Sequence, residues 1–247
     1  MDQKQTIVVT GGGTGIGRAV AERLAADGRH VTVVGRRREP LAAVRGESDQ
    51  IDVVSADVAS ESGVAALLDH IQSADRACAG IVAAAGGVSV TPEAGSSIED
   101  IRRDWVGAFE SNVLTAVLPV EALRSQLYAH HGRVVLLSSV AALRGSGGGA
   151  YGSMKAALHG WMYDLARELG EYGGTANAVA PGFVPDTEFW TGRLDEQGRA
   201  RRVGQTLVGR EGTPAEVASL IAWLLGPDGG WMTGQVLSPN GGVVRGR

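Results

Sequence analysis

Residues 6–17 read Thr6-Ile7-Val8-Val9-Thr10-Gly11-Gly12-Gly13-Thr14-Gly15-Ile16-Gly17, a β-branched run that breaks into glycines. The run Thr6–Thr10 predicts a short strand. Arg18–Asp27, ending at Gly28, has helical character. Gly11, Gly15 and Gly17 therefore fall between a strand and a helix. Backbone without Cβ can approach a pyrophosphate, and a helix N-terminus offers N–H groups and partial positive charge. The spacing is Gly-x-x-x-Gly-x-Gly, different from the Gly-x-Gly-x-x-Gly dinucleotide fingerprint. A tight βα turn without a ligand is the competing reading, and the strand-loop-helix context favours nucleotide binding.

The same alternation continues outward. Strands are expected at Val31–Val34, Asp52–Ser55, Gly80–Ala85, Val134–Leu137, Thr175–Val179 and Gln235–Leu237. Helices are expected at Arg37–Arg45, Ser62–Ala74, Ser153–Leu169 and Pro214–Leu225, with one or two more within Ile98–His130. Short strands alternating with helices imply βαβ units. The expected fold is α/β, a Rossmann-like doubly wound parallel sheet of about seven strands with helices on both faces. No linker, repeat or composition break divides residues 1–247, so one domain is expected. Ligands bind such sheets at the strand carboxyl ends. The glycine loop, Asp57, Gly86, Ser138-Ser139 and Pro181-Gly182 all fall there.

Composition narrows the function classes. A net charge of −4 gives no reason to expect nucleic-acid or membrane binding. Cys78 is the only cysteine, which excludes an intramolecular disulfide and a cysteine-based metal cluster. Its expected role is that of a small buried apolar residue. His130-His131 reads as a surface turn, His159 as packing or interface, and no metal is expected. No signal-like segment or long apolar run is seen, so a reducing, cytoplasmic setting is expected.

Tyr151 and Lys155 stand four residues apart on an expected helix and so share a face. An ammonium fixed beside a phenol lowers its pKa and fits it for proton exchange with a substrate oxygen. Alone, the pair favours ordinary surface or core residues, because the spacing arises by chance on many helices.

Together these motifs resemble the short-chain dehydrogenase/reductase family in its compact single-domain form, similar to ketoacyl reductases and related carbonyl reductases. The resemblance covers nearly the whole chain. Thr10-Gly11 through Gly15-Ile16-Gly17 resembles the cofactor loop, with Thr14 inside it. Asp57-Val58 resembles the adenine-contacting pair, and Pro181-Gly182, followed by Val184, the segment beside the nicotinamide. Asn112, Ser139, Tyr151 and Lys155 match the catalytic tetrad in order. The resemblance implies hydride transfer between NADP(H) and a small-molecule carbonyl or alcohol. Tyr151 then exchanges the proton and Ser139 orients the substrate oxygen. Lys155 lowers the Tyr151 pKa and binds the nicotinamide ribose, and Asn112 holds a water that links Lys155 to solvent. Ser138 competes with Ser139, whose following Val-Ala-Ala fits the family better.

Gly35 occupies the position where NAD-preferring relatives usually carry an acid, and Arg36 and Arg37 follow it. An arginine fork there can bind a 2′-phosphate, so NADP(H) is expected over NAD(H). Thr14 departs from the basic residue of many NADP-using relatives. Ala83-Ala84-Ala85-Gly86 replaces the family's Asn-Asn-Ala-Gly, and Ser238-Pro239-Asn240 precedes Gly241-Gly242 with no assigned meaning. A substrate lid is implied at about 184–207. Phe183, Val184, Phe189 and Trp190 are candidates for an apolar wall, with core packing the alternative. Arg193, Arg199, Arg201 and Arg202 either attract an anionic substrate or carrier protein or form a solvated helix face. Ser146–Gly149 offers a flexible edge to the site. A homotetramer or homodimer is implied, with Leu158, Trp161 and Leu165 compatible with an interface or with burial. The alternatives are a non-catalytic NADP(H)-binding sensor or scaffold, and a related epimerase or dehydratase.

Overall fold

The computed structural model describes residues 4–88, 95–145, 149–185 and 187–245. In chain order it contains β1 (Lys4–Thr10), α1 (Gly15–Ala26), β2 (Val31–Gly35), α2 (Arg38–Arg45), β3 (Ile51–Ser55), α3 (Glu61–Ser73) and β4 (Arg76–Ala83). Helix α4 (Ile98–Phe109) passes through a π-helical turn (Glu110–Leu114) into α5 (Thr115–Ala122) and α6 (Arg124–Ala129). Then come β5 (Arg133–Leu137), α7 (Ala141–Arg144), α8 (Ala150–Gly170), β6 (Thr175–Val179), α9 (Glu196–Val203), α10 (Pro214–Leu225) and β7 (Val236–Leu237).

The seven strands form one sheet in the order β3-β2-β1-β4-β5-β6-β7, with every pair parallel. The order reverses direction between β1 and β4, which opens a crevice above their carboxyl ends. Side chains alternate across the sheet as period two requires. Val8, Val34, Ile81 and Val134 pack under α3, α5 and α8 with Leu67, Val120 and Leu158. Val9, Val33, Val82 and Val135 pack under α1 and α10 with Leu24 and Ile221. This is the doubly wound sheet with helices on both faces that the alternation predicts.

Three boundaries differ in ways that bear on the site. Strand β4 begins at Arg76 and ends at Ala83, so Ala84 and Ala85 belong to the following turn. Helix α8 begins at Ala150, which puts Tyr151 inside its first turn. The segment 98–130 holds three α-helices joined partly through the π turn, where one or two were expected. Leu158 and Leu165 are core residues of this chain, and Trp161 packs partly buried against them. The exposed apolar residues nearby are Trp105, Val106 and Phe109 on α4 and Tyr163 on α8. Among the described residues, no helix is long and apolar enough to cross a membrane. None of them forms a group of three or more His, Cys, Asp or Glu side chains able to hold a metal ion. Residues 146–148 of the expected flexible edge, and residue 186 of the expected lid, lie outside the described residues.

Candidate active site

The loop after β1 turns where only glycine fits. Gly11 has φ +66°, and a Cβ there would meet the Ala85 backbone at 2.7 Å. A Cβ on Gly17 would overlap the Gly11 carbonyl. The close packing brings the N-terminus of α1 under the crevice. Thr14 precedes that helix without a side-chain cap, and its first turn has no acidic residue. Its leading N–H groups and partial positive charge are therefore available to an anion.

Asp57 and Val58 follow β3. Asp57 Oδ1 accepts from the Ala59 N–H at 3.0 Å, and the Asp57 carbonyl accepts from the Ser60 hydroxyl at 2.8 Å. The Ser60 hydroxyl in turn accepts from the Gly63 N–H at 3.1 Å and caps α3. Gly63, which sequence reasoning passed over, fixes this loop: a Cβ on it would overlap the Asp57 carbonyl. Gly63→Ala is expected to cost about 2–4 kcal/mol, because the obstacle is backbone rather than a yielding side chain. Urea denaturation measures it; a loss under about 1 kcal/mol would mean that the loop moves freely.

Arg36 and Arg37 are exposed at the mouth beyond β2. Arg37 pairs with Glu188, which reaches across from the 3₁₀ turn Glu188–Trp190. A carboxylate thus reaches the end of β2 even though Gly35 replaces the acid of NAD-preferring relatives there. Glu188 comes from a segment 151 residues away and cannot be seen as a neighbour in sequence.

At the centre, Ser139 and Tyr151 meet. The phenol is half-buried, and burial pushes its pKa up, while a hydrogen bond with Ser139 pulls it back. This reverses the expected lowering. The Lys155 ammonium lies 6.0 Å from the Tyr151 ring centroid, over the ring. Lys155 is only 4% exposed and donates to the Leu137 carbonyl at 2.8 Å. Burial lowers its pKa to about 8. Among the described residues no carboxylate pairs with it, so its charge is met by one carbonyl alone.

Ser138 and Ser139 point to different tasks. The Ser138 hydroxyl is buried, donates to the Lys155 carbonyl at 3.0 Å and lies 2.7 Å from His159 Nε2. It ties β5 to α8. The Ser139 hydroxyl accepts from the Ala141 N–H at 3.1 Å at the start of α7 and faces Tyr151. Helix α7, absent from the sequence reading, turns the chain so that the two serines diverge.

Asn112 sits on the π turn, a feature that often re-aims a side chain at functional sites. It is fully buried. Its amide nitrogen donates to the Gly87 carbonyl at 2.9 Å and the Ala108 carbonyl at 3.1 Å, and its oxygen accepts from the Gly87 N–H at 3.2 Å. It therefore clamps the turn after β4. A Cβ on Gly86 would meet Asn112 Oδ1 at 2.9 Å and Lys155 Nζ at 3.1 Å, so the three are packed together. The Ala83–Ala85 departure is met by hydroxyls: Thr10 accepts from the Ala85 N–H at 3.1 Å and Thr115 donates to its carbonyl at 3.1 Å. Asn240 also gains a role. Its amide donates to Ser238 Oγ at 2.9 Å and the Val244 carbonyl at 3.1 Å, and its oxygen accepts from the Gly242 N–H at 2.8 Å, closing the turn behind Gly182.

A cavity of about 1250 Å³ joins these parts. It is lined by Gly11, Thr14, Gly15, Ile16, Gly17, Arg36, Arg37, Asp57, Val58, Gly86, Ser139, Tyr151, Lys155, Pro181, Gly182 and Val184. Of the four residues matched to the catalytic tetrad, Asn112 alone stands behind the wall rather than on it. The volume exceeds the ~300–1,000 Å³ typical of a drug-sized ligand and leaves room for a dinucleotide beside a small substrate. An uncapped helix, an arginine mouth and a buried lysine lacking a carboxylate partner all fit an extended anionic ligand. At the other end Phe189 lies 5.6 Å from the Tyr151 ring, and Trp190 stacks edge-on against Phe189 and Phe183. The apolar wall is real, and Phe183 and Val184 are buried within it. Of the arginines at 193–202, Arg199 pairs with Glu211, while Arg193, Arg201 and Arg202 face the cavity.

A family model described as enoyl-(acyl carrier protein) reductase matches residues 11–244. The short-chain reductase protein NovJ of Streptomyces niveus is 32% identical over 257 residues, covering 98% of this chain and 95% of the relative. The 3-oxoacyl-(acyl-carrier-protein) reductase FabG of Escherichia coli is 32% identical over 248 residues, 96% of each chain. The 3-oxoacyl-(acyl-carrier-protein) reductase MabA of Mycobacterium tuberculosis is 33% identical over 250 residues, 98% of this chain and 94% of the relative.

Proposed function

The chain belongs to the short-chain dehydrogenase/reductase family, and we propose that it is an NADP(H)-dependent oxidoreductase acting on a ketone or secondary alcohol. The observation that carries this reading is the sharing of one cavity by Ser139, Tyr151 and Lys155 with the glycine loop and the arginine mouth.

A reduced nicotinamide, when bound, supplies the hydride that converts the carbonyl carbon to a carbinol and is itself oxidised. The chain supplies the rest. The Ser139 hydroxyl donates to the substrate oxygen and holds it beside Tyr151. Negative charge grows on that oxygen as the carbonyl is reduced, and fixed donors stabilise it without reorganisation. The Tyr151 phenol gives up its proton to the oxygen, so the product is a neutral alcohol. Lys155 stabilises the resulting phenolate and returns it to equilibrium with solvent. Asn112 acts as a positioning residue, holding the Gly86-Gly87 turn against Lys155. Buried, unpaired Cys78, its thiol pushed up to about 12 by burial, takes no part and suits the reducing cytoplasm in which we propose the enzyme works.

Arg36 is the group we assign to the cofactor 2′-phosphate, with Arg37 beside it and already paired to Glu188. The purified chain is expected to oxidise NADPH against a panel of ketones with a KM at least about tenfold below that for NADH, the size of one charge-assisted hydrogen bond. Arg36→Ala should remove most of that preference. Equal KM values would sink the assignment. Binding of NADPH with no turnover across the panel would favour a non-catalytic sensor or scaffold. The exposed apolar face of α4, packed beside α8, supports docking of a second copy of the chain in a homodimer or homotetramer.

A further inference from the structure

The substrate end of the cavity carries more positive charge than the reaction needs. Arg202 on α9 lies over the Trp190 ring, 4.4 Å from its centroid, and 5.8 Å from the centroid of Phe183. Stacking on two rings holds its planar fork in one orientation. Arg144, the last residue of α7, faces it from the body of the protein and donates to Gln205 at 3.0 Å, just beyond α9. Burial and the nearby charges of Arg144 and Arg201 hold the Arg202 pKa below its ordinary value. Among the described residues none of these three arginines has a carboxylate partner, although Arg199 and Arg210 on the outer side of the same segment are both paired. Like charges gathered on an apolar wall are unfavourable unless an anion completes them.

We propose that Arg202 and Arg144 form a subsite for an oxyanion on the substrate itself, so that the preferred substrate is a compact keto acid. This rests on the oxidoreductase reading above. Tyr151, Phe189, Trp190 and Arg202 follow one another along the wall at 5.6, 5.0 and 4.4 Å. A ketone at Tyr151 and a carboxylate at Arg202 would be joined by an apolar chain lying on the aromatic rings, its length the quantity that the test below reads. A carrier-borne thioester would instead leave its phosphate outside, at the far end of a long neutral arm. Because Arg144 belongs to α7 and Arg202 to α9, a carboxylate between them would also fasten α9 over the site.

The test compares levulinate, and its homologues lengthened by one and two methylenes, each with its own methyl ester. For the best-fitting length, kcat/KM for the acid should exceed that for the ester at least about tenfold. Arg202→Gln should bring the acid-to-ester ratio close to unity, and Arg144→Gln should lower it. A general loss of folding or activity does not move that ratio. Esters used as well as acids by the wild type, or an acid preference that survives both substitutions, would overturn the proposal. Calorimetric titration of the same acids into the full chain gives a second readout. If neither acids nor esters are reduced while other ketones of the panel are, the keto-acid proposal fails and the oxidoreductase reading stands; if no ketone is reduced, the oxidoreductase reading fails. The titration then decides the subsite alone: binding lost in Arg202→Gln sustains it, and no binding to the wild type ends it.

Discussion

Tyr151→Phe is expected to lower kcat about 10²–10⁴-fold, the usual worth of a positioned general acid, while leaving the fold and cofactor affinity nearly intact. The variant removes one hydroxyl from a half-buried ring whose main contacts are apolar, with Phe189 at 5.6 Å. Among the described residues the partner it strips is Ser139, which keeps its bond from the Ala141 N–H at 3.1 Å. Stability should therefore change by less than about 1 kcal/mol. The raised phenol pKa gives the two directions different pH profiles. In the proposed mechanism, carbonyl reduction draws on the protonated phenol, which burial favours. Alcohol oxidation needs the phenolate, so its rate should climb with pH. Steady-state kinetics in both directions, with thermal melting as the control, measures all of this. A variant that keeps more than a tenth of wild-type kcat would remove Tyr151 from proton transfer.

The sheet was legible because its information is local. Val8 and Val9, Val33 and Val34, and Val134 and Val135 announce strands through β-branched pairs, and glycine or serine marks each carboxyl end. The positions of Tyr151, Ser139 and the glycine loop follow from that frame. What stayed hidden depends on contacts between distant segments. Arg37 and Glu188 meet only because the chain after β6 folds back over β2. The separate tasks of Ser138 and Ser139 depend on α7, whose four residues carry no periodicity of their own. Gly63 matters through the Asp57 carbonyl, and Asn240 through a turn that its own side chain builds. The Tyr151 pKa is raised rather than lowered for a related reason. Helical spacing places an ammonium near a ring, but it does not say whether the ring's hydroxyl is the part approached, or how much water is lost.

Lys155→Met should abolish most activity and yet make the unliganded protein more stable. The wild-type ammonium is almost fully buried, with one carbonyl acceptor and no carboxylate partner among the described residues. Folding lowers its pKa from 10.5 to about 8, so the native state carries the charge at a cost near neutral pH. At 1.36 kcal/mol per unit that cost is about 3 kcal/mol, and methionine removes it. Methionine also strands the Leu137 carbonyl, which costs about 1–3 kcal/mol. The net expectation is a gain of about 1 kcal/mol and a Tm higher by about 2–4 °C. A distinct pH signature follows. Between about pH 8 and 10.5 the unfolded chain holds a proton on Lys155 that the native chain has released, so the wild type gains stability from this group as pH rises. Cys78 and Tyr151, both pushed up by burial, act in the opposite sense at high pH, but they are common to both proteins and cancel in the difference. The variant's advantage should therefore be largest at neutral pH and shrink through that window. NADP(H) should raise the Tm of the wild type more than that of the variant, because the lysine's uncompensated charge is what a ribose and its phosphates would engage. A Tm that falls on substitution, or an advantage independent of pH, would mean that Lys155 is not a strained charge held ready for a ligand.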